Sequence, residues 1–200
     1  MEQTIVYFDK PGPENTAAVI QAVRKRAEKL GVKDFAVASC TGKTAQKMWE
    51  AVADLKPNVV AVTEHAGMSG GDEVFLKDPA RRVLEMKGIK VCMCSHALSG
   101  VARSISKKFN TISHVEIIAQ TLKQFGGEGL KVAVDVAVMA ADAGLVPTSR
   151  EIIAVGGTGT GADTAIVLKA AHMNNFFDLE RMFREFATFK TDITRVALTN

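Results

Sequence analysis

Short apolar runs of four to six residues recur along the chain, separated by longer stretches in which apolar positions return every three or four residues. A short, uniformly apolar run suits a strand buried on both faces, whereas the three-to-four period marks one face of a helix. The alternation predicts an α/β protein in which helical crossovers join mostly parallel strands. Residues 4–8 read as a strand, followed by a turn at Pro11-Gly12-Pro13 and a helix over Thr16–Leu30 that Gly31 closes. The next strand is expected at 35–39. Met48, Ala51, Val52 and Leu55 at helical spacing then predict a helix over 44–55, stopped by Pro57. A strand at 59–63, a short helix near 79–87 and a strand at 89–94 come next.

Ser113 and Glu116 have the reciprocal spacing of a capping box, which starts a helix running to Gly126. Residues 130–143 carry two signals: Val132, Val134, Val136 and Val138 alternate as in a strand, while Met139 to Ala143 favour helix. The helical reading is adopted, with Gly144 and Pro147 as its stop and a strand at 152–155 beyond. Gly126-Gly127-Glu128-Gly129 reads as a hinge between helices, and with no shift of composition across it one domain is expected over 1–200. Phe176, Phe177, Leu179, Met182, Phe183 and Phe186 form an apolar stripe expected to pack on the sheet.

Composition narrows the function. Apolar residues make up 47% of the chain, enough for a real core. The 25 Lys and Arg nearly balance 22 Asp and Glu, so charge gives no reason to expect nucleic acid. Nor is there the interleaving of aromatic and basic residues that stacking on single strands requires, and Arg24-Lys25-Arg26 reads as the wet face of a helix. No apolar run approaches the ~20 residues that cross a bilayer, and Met1-Glu2-Gln3-Thr4 does not open like a signal peptide. Three cysteines, an odd number, argue against a disulfide framework and for the cytoplasm. Cys92, Cys94 and His96 share one strand face but match no common zinc spacing, so buried thiols and no metal are expected.

Candidate chemistry concentrates where strands end. At Ser39-Cys40-Thr41-Gly42-Lys43-Thr44 a buried strand gives way to hydroxyls, a glycine and a lysine before a helix, an arrangement that binds anions through free N–H groups and the helix dipole. It is not a nucleotide P-loop, because Val37 stands where that motif needs glycine. Cys40 is expected to offer its backbone N–H to the anion, with a thiol of lowered pKa beside Lys43, a candidate nucleophile, as the lesser reading. In open parallel sheets ligands lie beyond the carboxyl ends of strands, which adds Glu64, His65 and Gly67 after one strand and Ser95 and His96 after another. Both histidines are candidates for contact with a ligand. Gly156, Gly157, Thr158, Gly159 and Gly161 form a second candidate loop. Gly157, Gly159 and Ala162 satisfy a loose dinucleotide fingerprint, with Asp178 or Glu180 as the ribose acid, but too little chain remains for a further βαβ unit.

Ser39 through Ala45, a helix, and then Pro57-Asn58-Val59-Val60-Ala61-Val62-Thr63 resemble the C-terminal α/β domain of pyruvate kinase. The likeness returns from Ile152 through the glycines to Thr164. The resemblance implies a three-layer α/β/α sandwich with a mostly parallel sheet and an antiparallel strand near the C-terminus, so 163–168 is read as a strand. In those enzymes the first loop holds a phosphate of a sugar-phosphate activator and the glycine loop closes over it. Two hundred residues leave no room for the catalytic barrel, and pyruvate kinase activity is not expected. The chain is more similar to stand-alone pyruvate kinase α/β-domain proteins, for which FMN is the implied ligand. The leading expectation is therefore binding of a small phosphorylated molecule. A flavin-dependent redox or phosphoryl-handling enzyme using His65 or His96, and a sugar-phosphate sensor acting for a partner protein, are the alternatives; a homo-oligomer is left open.

Overall fold

The structure is a computed structural model, and it describes residues 5–177 together with the strand Arg184–Phe189. Its elements in chain order are β1 (Val6–Phe8), α1 (Thr16–Leu30), β2 (Asp34–Ala38), α2 (Lys43–Val52), β3 (Asn58–Glu64), α3 (Asp78–Met86), β4 (Lys90–Cys94), α4 (Gly100–Phe109), α5 (His114–Asp142), β5 (Ile152–Gly156), β6 (Thr164–Leu168) and β7 (Arg184–Phe189). The strands form one sheet in the order β1-β7-β6-β5-β2-β3-β4. Strands β2, β3, β4 and β5 pair in parallel, as do β1 and β7, while β6 runs against both of its neighbours. The antiparallel strand near the C-terminus is present, and it lies inside the sheet with β7 and β1 beyond it.

Alternation along the central strands sorts their side chains into two cores. Phe35 and Val37, Val59 and Ala61, and Ile153 and Val155 face α1, α2 and α3, where Val19, Val23, Met48, Val52 and Leu84 meet them. Ala36, Val60, Val62, Ile152 and Ala154 face the opposite way, onto Leu130, Ala133, Ala137 and Ala140 of α5. Helices on both faces of a mostly parallel sheet make the three-layer sandwich.

The helix termini behave as the residues dictate. Gly31 takes φ 68 and closes α1, and Ser113 and Glu116 form the reciprocal bonds of a capping box, with Glu116 N–H donating to Ser113 Oγ at 3.2 Å and Ser113 N–H donating to Glu116 Oε2 at 3.0 Å. Gly126 (φ −142, ψ 15) and Gly127 (φ 76, ψ −178) break α5 where the glycines predict a hinge. The stretch with alternating valines is helical. Its mixed signal has a physical origin, because residues 130–141 are buried nearly all round and an all-round apolar helix loses the one-sided period.

Two expectations change. No element is expected at residues 100–109, yet α4 forms there; Val101, Ile105 and Phe109 recur every four residues as on one helical face, but the helix buries no residue and all three are exposed. The stripe at 176–186 is not one helical face. Phe186 belongs to β7, Phe176 packs against the core, Phe177 is exposed, and Leu179, Met182 and Phe183 lie outside the described residues.

Helix α5 meets the sheet at two glycines. A Cβ on Gly156 would run into the carbonyl oxygen of Gly129 and lie 2.7 Å from the backbone nitrogen of Ala133, and one on Gly129 would strike Asp163 and Thr164. Gly156 permits backbone-to-backbone approach, and Gly129 makes room for the side chains of Asp163 and Thr164. Gly156→Ala is expected to destabilise the fold by about 2–4 kcal/mol, since backbone rather than a flexible side chain blocks the methyl; urea unfolding measures this, and a loss under about 0.5 kcal/mol would contradict the packing described.

Candidate functional site

At the carboxyl end of β2 the chain is held tightly before α2 begins. Ser39 N–H donates to Val62 O at 2.9 Å, extending the pairing with β3, and Gly42 N–H donates back to Ser39 O at 3.2 Å. Gly42 adopts φ 84, and Leu76 and Leu84 crowd its Cα, which favours glycine for conformation and space alike. The Ser39 hydroxyl accepts from Ala45 N–H at 3.1 Å, and Thr63 Oγ1 donates to Cys40 O at 3.4 Å. Gly42 brings no side-chain cap, so the first-turn N–H groups of Lys43 and Thr44 have no intrahelical acceptor.

The second loop, 156–161, is organised around Asp163, which is fully buried. Its carboxylate accepts from Gly12 N–H and Thr158 N–H, both at 3.1 Å, and from the Thr164 hydroxyl at 3.0 Å. Thr16 Oγ1 accepts from Ala162 N–H at 3.0 Å and donates to Pro13 O at 2.6 Å, tying the loop to the start of α1. The glycines lead into β6 rather than a helix, which removes the dinucleotide-fold reading; Asp178 and Glu180 lie outside the described residues.

Between the two loops, roofed by α5 and the start of α4, lies a cavity of about 620 Å³. Of the residues singled out in the sequence, Ser39, Cys40, Thr41, Thr44, Glu64, His96, Gly157, Thr158, Gly159 and Gly161 line it. Gly42, Lys43, His65, Gly67, Ser95 and Gly156 do not. Gly42 is turned into the α3 side of the core, Lys43 is exposed on the first turn of α2, and Ser95 is exposed at the end of β4. His65 Nδ1 lies 2.6 Å from Ala66 O, Gly67 donates to Glu73 O at 2.9 Å within its own loop, and Gly156 is spent on the contact with α5.

Helices α4 and α5 add groups that the strand-end argument does not reach. Lys131 and Asp135 are both buried and joined at 2.6 Å from Nζ to Oδ2, while Asp135 Oδ1 accepts from Leu98 N–H at 2.9 Å. A buried carboxylate with an ammonium group and an N–H donor is well compensated. His96 sits between Asp135, 3.8 Å from Nδ1, and Glu64, 3.9 Å from Nε2. Burial pushes its pKa down more strongly than Asp135 raises it, so the ring is neutral at neutral pH. Lys123 on the wall pairs with Glu128 at 2.7 Å. Arg103 also lines the cavity and makes no hydrogen bond or ion pair among the described residues. The buried Thr158 Oγ1 likewise has no hydrogen-bond partner.

A family model for the pyruvate kinase alpha/beta domain matches residues 17–168. The chain belongs to that family. The matched segment runs from α1 to the end of β6, so both loops and the whole of α5 fall within the pyruvate kinase α/β domain.

The Cys40 expectation is corrected: burial and then the charge of Glu64 push its thiol up, not down, because Lys43 does not share its surroundings. Among the described residues no group of three His, Cys, Asp or Glu side chains is placed to hold a metal ion. No helix among them is long and apolar enough to cross a membrane. Lys131 and Asp135 did leave a trace in the sequence, as opposite charges four apart inside an otherwise apolar helix. The helix of Arg103 was signalled by Val101, Ile105 and Phe109 at four-residue spacing, but nothing local ties that helix to the strand ends.

This electrostatic arrangement has two measurable consequences. Lys131→Met leaves Asp135 buried without its cation and is expected to cost about 3–5 kcal/mol at neutral pH in urea unfolding; a loss under about 1 kcal/mol would show that the pair is not buried as described. For His96 the folded pKa lies below the unfolded one, so as pH falls below about 6.5 the unfolded chain takes up the proton first and stability is lost. The melting temperature of wild type should therefore fall more between about pH 7.5 and about pH 5.5 than that of His96→Gln. Parallel pH profiles would refute the neutral, buried ring.

Proposed function

We propose that the cavity binds a small phosphorylated molecule, with FMN as the ligand. The observation that carries this reading is the opening of the anion-competent start of α2 and the glycine loop onto one cavity of about 620 Å³, a volume within the usual range for small-molecule sites. Thr41 and Thr44 offer hydroxyls beside the positive end of the α2 dipole, suited to a phosphate. Val62, Leu98, Val132, Val136 and Met139 give an apolar wall on which a flat ring would lie. Thr158 Oγ1, buried and without a hydrogen-bond partner among the described residues, is a polar atom that a ligand would satisfy. With Lys43 outside the cavity, Arg103 is the lining cation without an ion pair among the described residues, and it is the one offered to an anion.

Bound FMN supplies one- and two-electron chemistry through its ring. The protein's own contribution would be to hold the phosphate, cover the ring and keep a proton donor or acceptor nearby. Neutral His96 between two carboxylates favours a flavin-dependent redox activity as the second reading. The matched family is the α/β domain of pyruvate kinase, and the function proposed is ligand binding rather than that enzyme's catalysis. A reducing compartment such as the cytoplasm suits the three free thiols.

Calorimetric titration with FMN and with riboflavin tests the proposal. FMN should bind more tightly than its phosphate-free counterpart. Arg103→Ala should shrink that preference by about tenfold or more, the equivalent of ~1.5–3 kcal/mol for a charged hydrogen bond, while Lys43→Ala leaves it intact. Absence of flavin binding would contradict the reading, and a protein stabilised by sugar phosphates but not by FMN would favour the sensor.

A further inference from the structure

Among the described residues strand β4 is an edge of the sheet, paired with β3 alone, and it carries Cys92 and Cys94 on one face. Their sulfurs lie 3.6 Å apart. Cys92 is 4% exposed beneath α5, with its sulfur 3.7 Å from Met139 O, whereas Cys94 is only half-buried. Two residues of strand rise separate their Cα atoms by roughly 6.6 Å, at the upper end of the range for a disulfide, and bringing the Cβ atoms to the ~3.5–4.5 Å of a disulfide requires the strand to bend between the two residues. An edge strand has a free side on which to pucker as two such sulfurs close.

We propose that Cys92 and Cys94 form a dithiol site that undergoes thiol–disulfide exchange with a low-molecular-weight disulfide such as glutathione disulfide. The pair is asymmetric in a way that assigns the roles. The hydrogen bond between the two sulfurs holds Cys94 below the ordinary thiol value although burial, Asp135 and Asp142 raise it, while the same bond and burial push Cys92 up. Cys94, the more exposed, is the attacking thiol and Cys92 the resolving one.

Cys94 thiolate attacks one sulfur of glutathione disulfide, breaking its S–S bond. One glutathione leaves as thiolate and takes up a proton, and a mixed disulfide remains on Cys94. Cys92 then releases its proton, attacks Cys94 Sγ and expels the second glutathione, which is protonated in turn. Two protein thiols are oxidised to one disulfide, and one glutathione disulfide is reduced to two glutathiones. Nothing in this exchange depends on the ligand of the cavity.

The test incubates the native full chain with glutathione disulfide, blocks remaining thiols with iodoacetamide and maps the products by mass spectrometry. The expected product is a 92–94 segment lighter by two hydrogens and free of alkylation, reversed by dithiothreitol and unaffected by Cys40→Ser. Cys92→Ser should stall with one glutathione on Cys94, whereas Cys94→Ser should leave Cys92 unmodified. Wild-type protein in which both cysteines stay alkylatable, or in which each carries its own glutathione, would overturn the proposal whatever the variants do.

Discussion

The contact between α5 and the sheet at Gly129 and Gly156 sets the geometry on which the candidate site depends. With neither residue bearing a Cβ, the helix backbone rests on the carboxyl end of β5 and on the start of β6. That approach fixes the height of the cavity roof, because the same helix carries Lys131, Val132, Asp135, Val136 and Met139 along the wall. It also brings α5 against Asp163, whose carboxylate holds the glycine loop to the residues before α1. One packing decision thus places the roof, the second loop and the buried charge pair together.

The electrostatics of the cavity depend on which charges are already paired. Lys131 is matched to Asp135 and Lys123 to Glu128, so neither presents an isolated charge to a ligand. Arg103 on α4 makes no ion pair among the described residues, although its charge reaches His96 and Glu116, and the first turn of α2 offers N–H groups rather than a side-chain cation. The proposed anion binding would draw on backbone dipoles from the sheet side and on one guanidinium from the helical side. Arginine suits that task, since its planar fork matches phosphate oxygens in pairs. His96, kept neutral by burial, adds a proton-exchanging group without adding charge.

Much of the fold was legible because its signals are local. Gly31, the Ser113–Glu116 box and the Gly126-Gly127 break each act within a few residues, and the central strands are short apolar runs bounded by turns. Helix α4 was missed although Val101, Ile105 and Phe109 recur every four residues, the spacing of one helical face; that face stays exposed instead of packing on the core. In the site, strand ends pointed to the two loops and to Glu64 and His96, but not to the direction of each side chain. Lys43 shows the difference: its place at the start of α2 was evident, whereas its exposure depends on how Gly42 turns into Leu76 and Leu84. Lys131 and Asp135 became meaningful only once α5 lay across the strand ends, a contact between residues far apart in the chain.

The most direct measurement is a crystal structure of the protein grown with FMN. The account predicts electron density for the ligand in the cavity between residues 39–44 and 156–161, with its phosphate at the first turn of α2 within reach of Arg103 and its ring on the Val136 and Met139 wall. Density for FMN elsewhere on the molecule, or a cavity filled by the protein's own side chains at saturating FMN, would contradict it.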